Sequence, residues 1–208
     1  MRAKPDSALL VVKHLHERLV FRRRTRVLAA VLADLVPSGT TLLDVGCGDG
    51  TIACLIGQTK PNVSIQGLEV MPRRSCLIEC KGFDGTTIPF PESSVDMCLF
   101  VDVLHHTDHI EELLREARRV SRRYVLIKDH LCESRFDHAV LSFMDWVGNR
   151  AHEVVLPYNY QSKVQWNRIL STCGFRLLTW NEVLPLYPPP FSLLFGRGLH
   201  FVGLYEKG

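Results

Sequence analysis

The stretch that decides the reading is Leu42-Leu43-Asp44-Val45-Gly46-Cys47-Gly48-Asp49-Gly50-Thr51-Ile52-Ala53. An apolar run ends in an aspartate and a valine, passes through a turn where glycines alternate with other residues, and enters a helical pattern. Thr41–Val45 reads as a short buried strand and Thr51–Gln58 as the start of a helix. The glycines therefore sit at the carboxyl end of a strand, where open α/β sheets keep their ligand crevice. Glycine permits φ > 0 and lets another molecule approach the backbone with no Cβ in the way. Spacing sorts the ligands. A dinucleotide turn runs G-x-G-x-x-G and sets a helix N-terminus against a pyrophosphate. Here the order is G-x-G-x-G with an acid two places before the first glycine, and the Gly-Lys-Ser/Thr of a phosphate loop is absent. Asp44 repels a phosphate and attracts an ammonium or sulfonium. A cationic, amino-acid-bearing nucleoside suits this turn.

Outward from it, strand and helix alternate. Ser64–Val70, the almost wholly apolar Val95–Val101 and Tyr124–Lys128 read as strands, and Ile110–Val120 as a helix with Leu113, Leu114 and Ala117 inward. Nearly continuous apolar strands between helices predict a parallel sheet covered on both faces. A helix over His14–Val36 has Leu15, Leu19, Val27, Val31 and Leu35 at spacings of four or eight, and Pro37-Ser38-Gly39 ends it. Its basic residues Lys13, Arg18, Arg22, Arg23, Arg24 and Arg26 form a solvated face or dock on an anionic surface. Phe136, Val140, Phe143 and Val147 mark one side of a helix ending near Gly148. Ser162-Lys163-Val164-Gln165 has the form of a capping box, followed by Trp166, Ile169, Leu170 and Cys173 on one helix side. Phe175–Leu186 and Leu199–Tyr205 read as two last strands, paired as an antiparallel hairpin at the sheet edge.

The chain of 208 residues, 46% hydrophobic and 23% charged, has room for one well-buried α/β domain. A net charge of +3 is too mild to argue for nucleic acid. No apolar run reaches the ~20 residues of a membrane helix, and no secretory signal is credible. Seven cysteines without regular spacing read as reduced thiols in a cytoplasmic protein. Cys76 and Cys80 are spaced to face each other across a helical turn, but no second such pair completes a zinc site. No metal is expected.

These residues resemble a known family. LLDVGCGDGTIA is similar to the first motif of class I S-adenosylmethionine-dependent methyltransferases, and FDGTTIPFPESSVDMCLFVDVLHHTDH (residues 83–109) resembles a later motif of the methyltransferase-11-like branch. The resemblance runs from about residue 40 to 130. It implies a Rossmann-like, doubly wound, mostly parallel seven-stranded sheet with an antiparallel C-terminal hairpin strand. It divides residues 1–208 into a basic helical segment (1–38), a cofactor-binding core (39–130), a substrate cover (131–161), and the last helix with the hairpin (162–208). S-adenosylmethionine is the implied cofactor, with S-adenosylhomocysteine as product. Asp44 would hold the methionine ammonium while Gly46 and Gly48 let the backbone pass beside it. Glu69 would accept from both ribose hydroxyls, Val70 would pack on the adenine face, Asp84 would accept from the adenine amino group with Gly85 leaving room, and Val101 would lie beside the methionine portion. Residues 70–83 leave little space for the family's helix between the second and third strands, so that helix is expected to be short or missing.

His105 and His106, in the loop after the fourth strand, are the candidate catalytic bases, since histidine titrates near neutral pH. Asp129 and His130, just beyond the fifth strand, are a second acid/base pair. Asp102, His105, His106, Asp108 and His109 form a ligand-rich run that one loop cannot bring to a single metal. Aromatic residues in 131–161 (Phe136, Phe143, Met144, Trp146, Tyr158 and Tyr160) and the apolar loop around Pro188-Pro189-Pro190 are compatible with a small apolar or aromatic acceptor, lipid-like or quinone-like, methylated at O, N or C. Peripheral membrane contact fits the basic helix. The rival is a regulatory or scaffold protein that binds the cofactor without transfer. Asp102-Val103-Leu104-His105 departs from the Asn/Asp-Pro-Pro-Tyr/Phe signature of nucleic-acid N-methyltransferases, so nucleic acid is not the expected acceptor.

Overall fold

Strands buried on both faces need a helical layer above and below, and the chain supplies both. The computed structural model describes residues 22–149 and 157–208. In chain order the elements are α1 (Arg22–Leu35), β1 (Thr41–Val45), α2 (Thr51–Thr59), β2 (Ser64–Glu69), β3 (Cys80–Gly82) and β4 (Val95–Val101). A 3₁₀ turn (Leu104–His106), α3 (Ile110–Val120), β5 (Ser121–His130), α4 (Arg135–Asn149), α5 (Lys163–Thr172), β6 (Phe175–Asn181), α6 (Ser192–Phe195) and β7 (His200–Lys207) follow. The sheet order is β3-β2-β1-β4-β5-β7-β6. β1 to β5 run parallel, and β7 is antiparallel to both β5 and β6. The order reverses between β1 and β4, which opens a crevice beyond their carboxyl ends.

Successive strand residues serve opposite cores, as the period of two requires. Leu43, Cys98, Phe100, Val125 and Ile127 pack with Leu113, Leu114 and Ala117 of α3 and with Trp166 and Leu170 of α5. Their neighbours Leu42, Met97, Leu99 and Leu126 pack with Leu28, Leu32 and Ala33 of α1 and Ile56 of α2. On α1 the fully buried stripe is Leu28 and Leu32, with Val27, Val31 and Leu35 at its margin, one position from the predicted face. Leu15, Leu19, Lys13 and Arg18 lie outside the described residues. Arg22, Arg23 and Arg26 are exposed as expected, whereas Arg24 turns inward to Asp102.

The antiparallel end of the sheet is present, but β6 stops at Asn181. Beyond it Leu184 and Leu186 leave the strand to bury against the α1 side of the core. β5 is longer than the predicted Tyr124–Lys128: it starts at Ser121, and Asp129 and His130 continue in register with Phe201 and His200 of β7. The predicted apolar side of α4 is largely turned out: Phe136, Phe143 and Val147 are exposed, while Val140 and Leu141 are buried. Between β2 and β3 there is no helix, in keeping with the short spacer. Leu77 N–H instead donates to Asp49 O (2.9 Å) and ties this segment to the glycine turn.

The capping box of α5 forms as spelled. Ser162 Oγ accepts from Gln165 N–H, and Gln165 Oε1 accepts from Ser162 N–H. The box seats Trp166, which is fully buried and donates its indole N–H to His130 O at 3.0 Å. Ser162→Ala should lower stability by about 0.5–2 kcal/mol, with Ser162→Asp close to wild type. Urea unfolding midpoints of the three proteins check this.

Candidate functional site

The crevice has two differently built halves. On the β1–β2 side, Gly46, Gly48 and Gly50 all have positive φ (76°, 60° and 74°). Gly46 is required twice over, because a Cβ there would lie 2.5 Å from Val103 Cγ2. Gly48 differs: a Cβ would meet nothing within 4 Å. Its backbone faces open space.

Asp44 stands beneath this turn with only 3% of its surface exposed. Its Oδ1 has no hydrogen-bond partner among the described residues. Burial, with the charge of Glu69 second, pushes its carboxyl up to about 7. A buried carboxylate with an unmatched oxygen beside an open glycine is built for a cationic donor. Glu69, at the end of β2, accepts from Gly48 N–H (2.7 Å) and Val70 N–H (2.9 Å). Val70 is 53% exposed, and a Cβ at Gly85 (φ 89°) would come 3.3 Å from its Cγ2. The two flank the same rim. Asp84 Oδ1 accepts from Thr86 N–H, Thr87 N–H and Thr86 Oγ1–H, and the backbone bonds hold its carboxyl below the usual range. Val101 is half-buried against the α1-side core.

On the β4–β5 side the crevice wall is a buried cluster of charges. Asp102 adopts φ 56° just past β4, a left-handed turn that aspartate tolerates better than most residues. Its carboxylate accepts from Arg24 and from Lys128, whose side chain is wholly buried. Burial alone would raise Asp102, but Lys128 and Arg24 outweigh it and hold the carboxyl well below its ordinary range. Burial lowers Lys128 despite Asp102.

Beside this group, His105 is 1% exposed. Its Nδ1 lies 2.6 Å from Asp129 Oδ1 and its Nε2 lies 3.3 Å from Asp145 Oδ2. Burial would depress its imidazole, yet Asp129 and Asp145 prevail and raise it to about 10. Asp129 also accepts from Leu104 N–H and His130 N–H, and Tyr160 O–H donates to Asp145. His130 and His200 face each other through their Nδ1 atoms at 3.0 Å, and burial lowers both. His106 keeps partial exposure. Burial first, and the His105 cation second, push it down to about 4, so it is neutral at pH 7 and can accept a hydrogen bond.

The sequence-predicted residues thus fall into distinct places. Asp44, Gly46, Gly48 and Glu69 share one turn, with Val70 and Gly85 on its rim. His105 and His106 lie across the crevice and differ in character, one a pinned cation and the other neutral. Asp129 and His130 lie inside β5 and are sealed, rather than standing beyond it. The five-residue ligand run disperses, with Asp108 and His109 exposed and His109 beside Glu112. His105, Asp129 and His130 do converge, but as a hydrogen-bonded ion pair flanked by Lys128. Lys128, Asp145 and His200 each read as an isolated polar residue in their own element, and Arg24 was hidden in the basic run Arg22-Arg23-Arg24, so the sequence did not mark them as site residues. An Arg, a Lys and a His at the ends of otherwise apolar segments were the available hint.

His105 supplies a pH test. Its folded value lies above its ordinary 6.5, so its stabilisation is fully present below pH ~6.5 and is lost as pH climbs through about 10. His105→Gln should destabilise by about 3–5 kcal/mol at pH 6, having removed one partner of a buried pair. Urea unfolding from pH 6 to 10.5 should show the gap to wild type narrowing at the alkaline end; a constant gap would contradict a charged His105.

Comparisons with known proteins identify the family and the fold. A family model described as a methyltransferase domain matches residues 16–179. An uncharacterized methyltransferase of Mycobacterium sp. strain KMS is 33% identical over 134 residues, which is 58% of this chain and 48% of that protein. The chain spans about half the length of the Mycobacterium relatives it matches. Among solved structures, an S-adenosylmethionine-dependent methyltransferase from Aquifex aeolicus superposes with a TM-score of 0.59 at 17% identity, covering 99% of this chain and 98% of that one. The [4+2]-cyclase SpnF gives a TM-score of 0.65 at 15% identity, covering 86% and 79%. At these identities the superpositions establish the Rossmann-like fold.

Proposed function

Because the chain belongs to the methyltransferase-domain family, we propose that it is an S-adenosylmethionine-dependent methyltransferase acting on a small acceptor. The observation that carries this reading is Asp44, a buried carboxylate with an unmatched oxygen at a glycine turn open to ligand. The residues present fit the cofactor. Asp44 would hold its ammonium, the Gly48 backbone would pass beside its amino-acid portion, and Glu69 would accept from the ribose hydroxyls. Val70 and Gly85 would bound the adenine, Asp84 would accept from its amino group, and Val101 would lie beside the methionine portion. When bound, the cofactor supplies an electrophilic sulfonium methyl.

What the chain adds is alignment and exclusion of water. His106, neutral and partly exposed, accepts a hydrogen bond from the acceptor and orients it. His105 is a positioning residue: its charge, held by Asp129 and Asp145, fixes the 3₁₀ turn that carries His106. Tyr160, itself buried, stacks on His105 with ring centroids 5.7 Å apart and backs the turn that carries His106; the acceptor we propose is a small apolar or aromatic molecule. No helix among the described residues is long and apolar enough to cross a membrane.

Calorimetry tests the cofactor. Asp44→Asn should weaken S-adenosylhomocysteine by about 1.5–3 kcal/mol, the worth of a charged hydrogen bond. It should leave 5′-methylthioadenosine, which lacks the amino-acid portion, unaffected. Glu69→Ala should weaken both. Equal loss of both ligands in Asp44→Asn would remove the ammonium role. Transfer of labelled methyl into a small-molecule extract tests the activity, and binding without transfer would favour a regulatory or scaffold protein. His106→Ala should slow that transfer by about 10²-fold while S-adenosylhomocysteine affinity stays near wild type; unchanged transfer would exclude His106 from orienting the acceptor.

A further inference from the structure

Three thiols meet behind the glycine turn. Cys47 lies in the turn itself, Cys76 in the segment after β2, and Cys80 begins β3, yet their Sγ atoms all lie within 4.8 Å of one another. Cys47 and Cys80 are 3.5 Å apart, and none of the three is in a disulfide. The missing helix explains the meeting. Leu77 N–H donates to Asp49 O, and Gly67 N–H donates to Glu79 O at 2.8 Å, so the segment folds back along the turn instead of arching over the sheet. Cys76 and Cys80 therefore meet through that fold-back and not across a helical turn.

Two glycines make room for sulfur. A Cβ at Gly67 would lie 2.6 Å from Cys47 Sγ, and one at Gly50 would lie 2.8 Å from Ile78 Cγ1 and 3.1 Å from Cys76 Sγ. Gly67 sits inside β2 without a positive φ, so the close approach of Cys47 Sγ, with Ile78 Cδ1 at 2.9 Å, is what excludes a side chain there.

The charge around the thiols selects what they can do. Reactive or redox-sensing thiolates sit beside lysine, arginine or a protonated histidine. The charged residues acting on Cys47 and Cys80 are the carboxylates Asp44 and Glu69. Cys47, Cys76 and Cys80 are all half-buried, and a thiophilic cation would draw their three sulfurs together. Zinc–sulfur bonds of about 2.3 Å put ligand sulfurs about 4 Å apart, close to the spacing present. Soft thiolate sets prefer Zn(II), Cu(I) and their congeners.

We propose that Cys47, Cys76 and Cys80 form a three-thiolate site for one thiophilic d¹⁰ cation, which fastens residues 71–79 to the glycine turn. Each thiol gives its proton to solvent as its metal–sulfur bond forms. The site does not depend on the methyltransferase reading, and its test does not use the cofactor.

The full chain, reduced with a phosphine and stripped with a chelator, is titrated anaerobically with Cd²⁺ while the near-ultraviolet sulfur-to-cadmium absorption is followed. Saturation at one equivalent is expected, with Cd²⁺ displacing Zn²⁺ from the zinc-loaded protein. Cys76→Ser and Cys80→Ser should each weaken binding by more than the ~10–100-fold that loss of an outer partner costs, while Cys132→Ser binds like wild type. Zn²⁺ should also raise the melting temperature of wild type and of Cys132→Ser alone, with circular dichroism showing that all variants are folded. Absorption that persists in both site variants, or reduced wild type that ignores Cd²⁺, overturns the proposal. So does a Cys47–Cys80 disulfide that forms in air in the presence of Zn²⁺.

Discussion

Asp102 holds two cations at once, and much of the crevice depends on that. Lys128 ends the parallel part of β5 where no solvent reaches it, and a buried ammonium is tolerated only with a carboxylate against it. The left-handed turn after β4 puts Asp102 in that place, and Arg24 closes the group from α1. The helix is thus fixed to the carboxyl ends of the central strands by charge as well as by Leu28 and Leu32. Asp129 and Asp145 repeat the arrangement around His105, so a second element, α4, is joined to the same rim. A wall built from mutually satisfied charges keeps its dipoles oriented without water, and such preorganisation is where buried ion pairs find their use.

The centre of the sheet was legible because β1 and β4 are covered on both faces, whereas the half-exposed β3 was not located. Thr41–Val45 and Val95–Val101 are apolar enough on both faces that their limits in the sequence and in the structure coincide. Legibility failed where polar residues are buried or apolar ones exposed. β5 was read to stop at Lys128 because Asp129-His130 resembles the start of a loop; only the partner strand β7 and the charges around them make those residues interior. β6 was read long because Leu184 and Leu186 look like strand residues, although they bury against the opposite core. On α4 the periodicity of Phe136, Phe143 and Val147 is real, but the buried side is set by Val140, Leu141 and Asp145.

The candidate site divides in the same way. The glycine turn, Asp44 and Glu69 lie in local motifs whose spacing carries the information, and the structure gathers them at one turn. The opposite wall draws on residues from α1, β5, α4 and β7, separated by most of the chain, and no local pattern links Arg24 to Asp102 or Asp145 to His105. The thiol cluster has the same origin. Cys47 and Cys80 become neighbours only because β2 and β3 pair in parallel with no helix between them, and the short spacer that announces the missing helix does not say where its cysteines go.

The two walls differ in electrical design, and the difference assigns them different work. Around Asp44 and Glu69 the carboxylates outnumber their partners, and Asp44 is held near neutrality by burial and by Glu69. That half gains by admitting a cation, which would restore the ionised carboxylate and satisfy its unmatched oxygen. Across the crevice Asp102, Asp129 and Asp145 already face Arg24, Lys128 and His105, so a charged ligand would disturb a settled balance. A neutral acceptor would not, and His106, uncharged beside the His105 cation, offers it a hydrogen-bonding nitrogen. On the proposed reading, one wall would hold a cationic donor and the other would place an uncharged acceptor, a division compatible with transfer from a sulfonium. It follows from where the chain buries its carboxylates and which of them it leaves uncompensated.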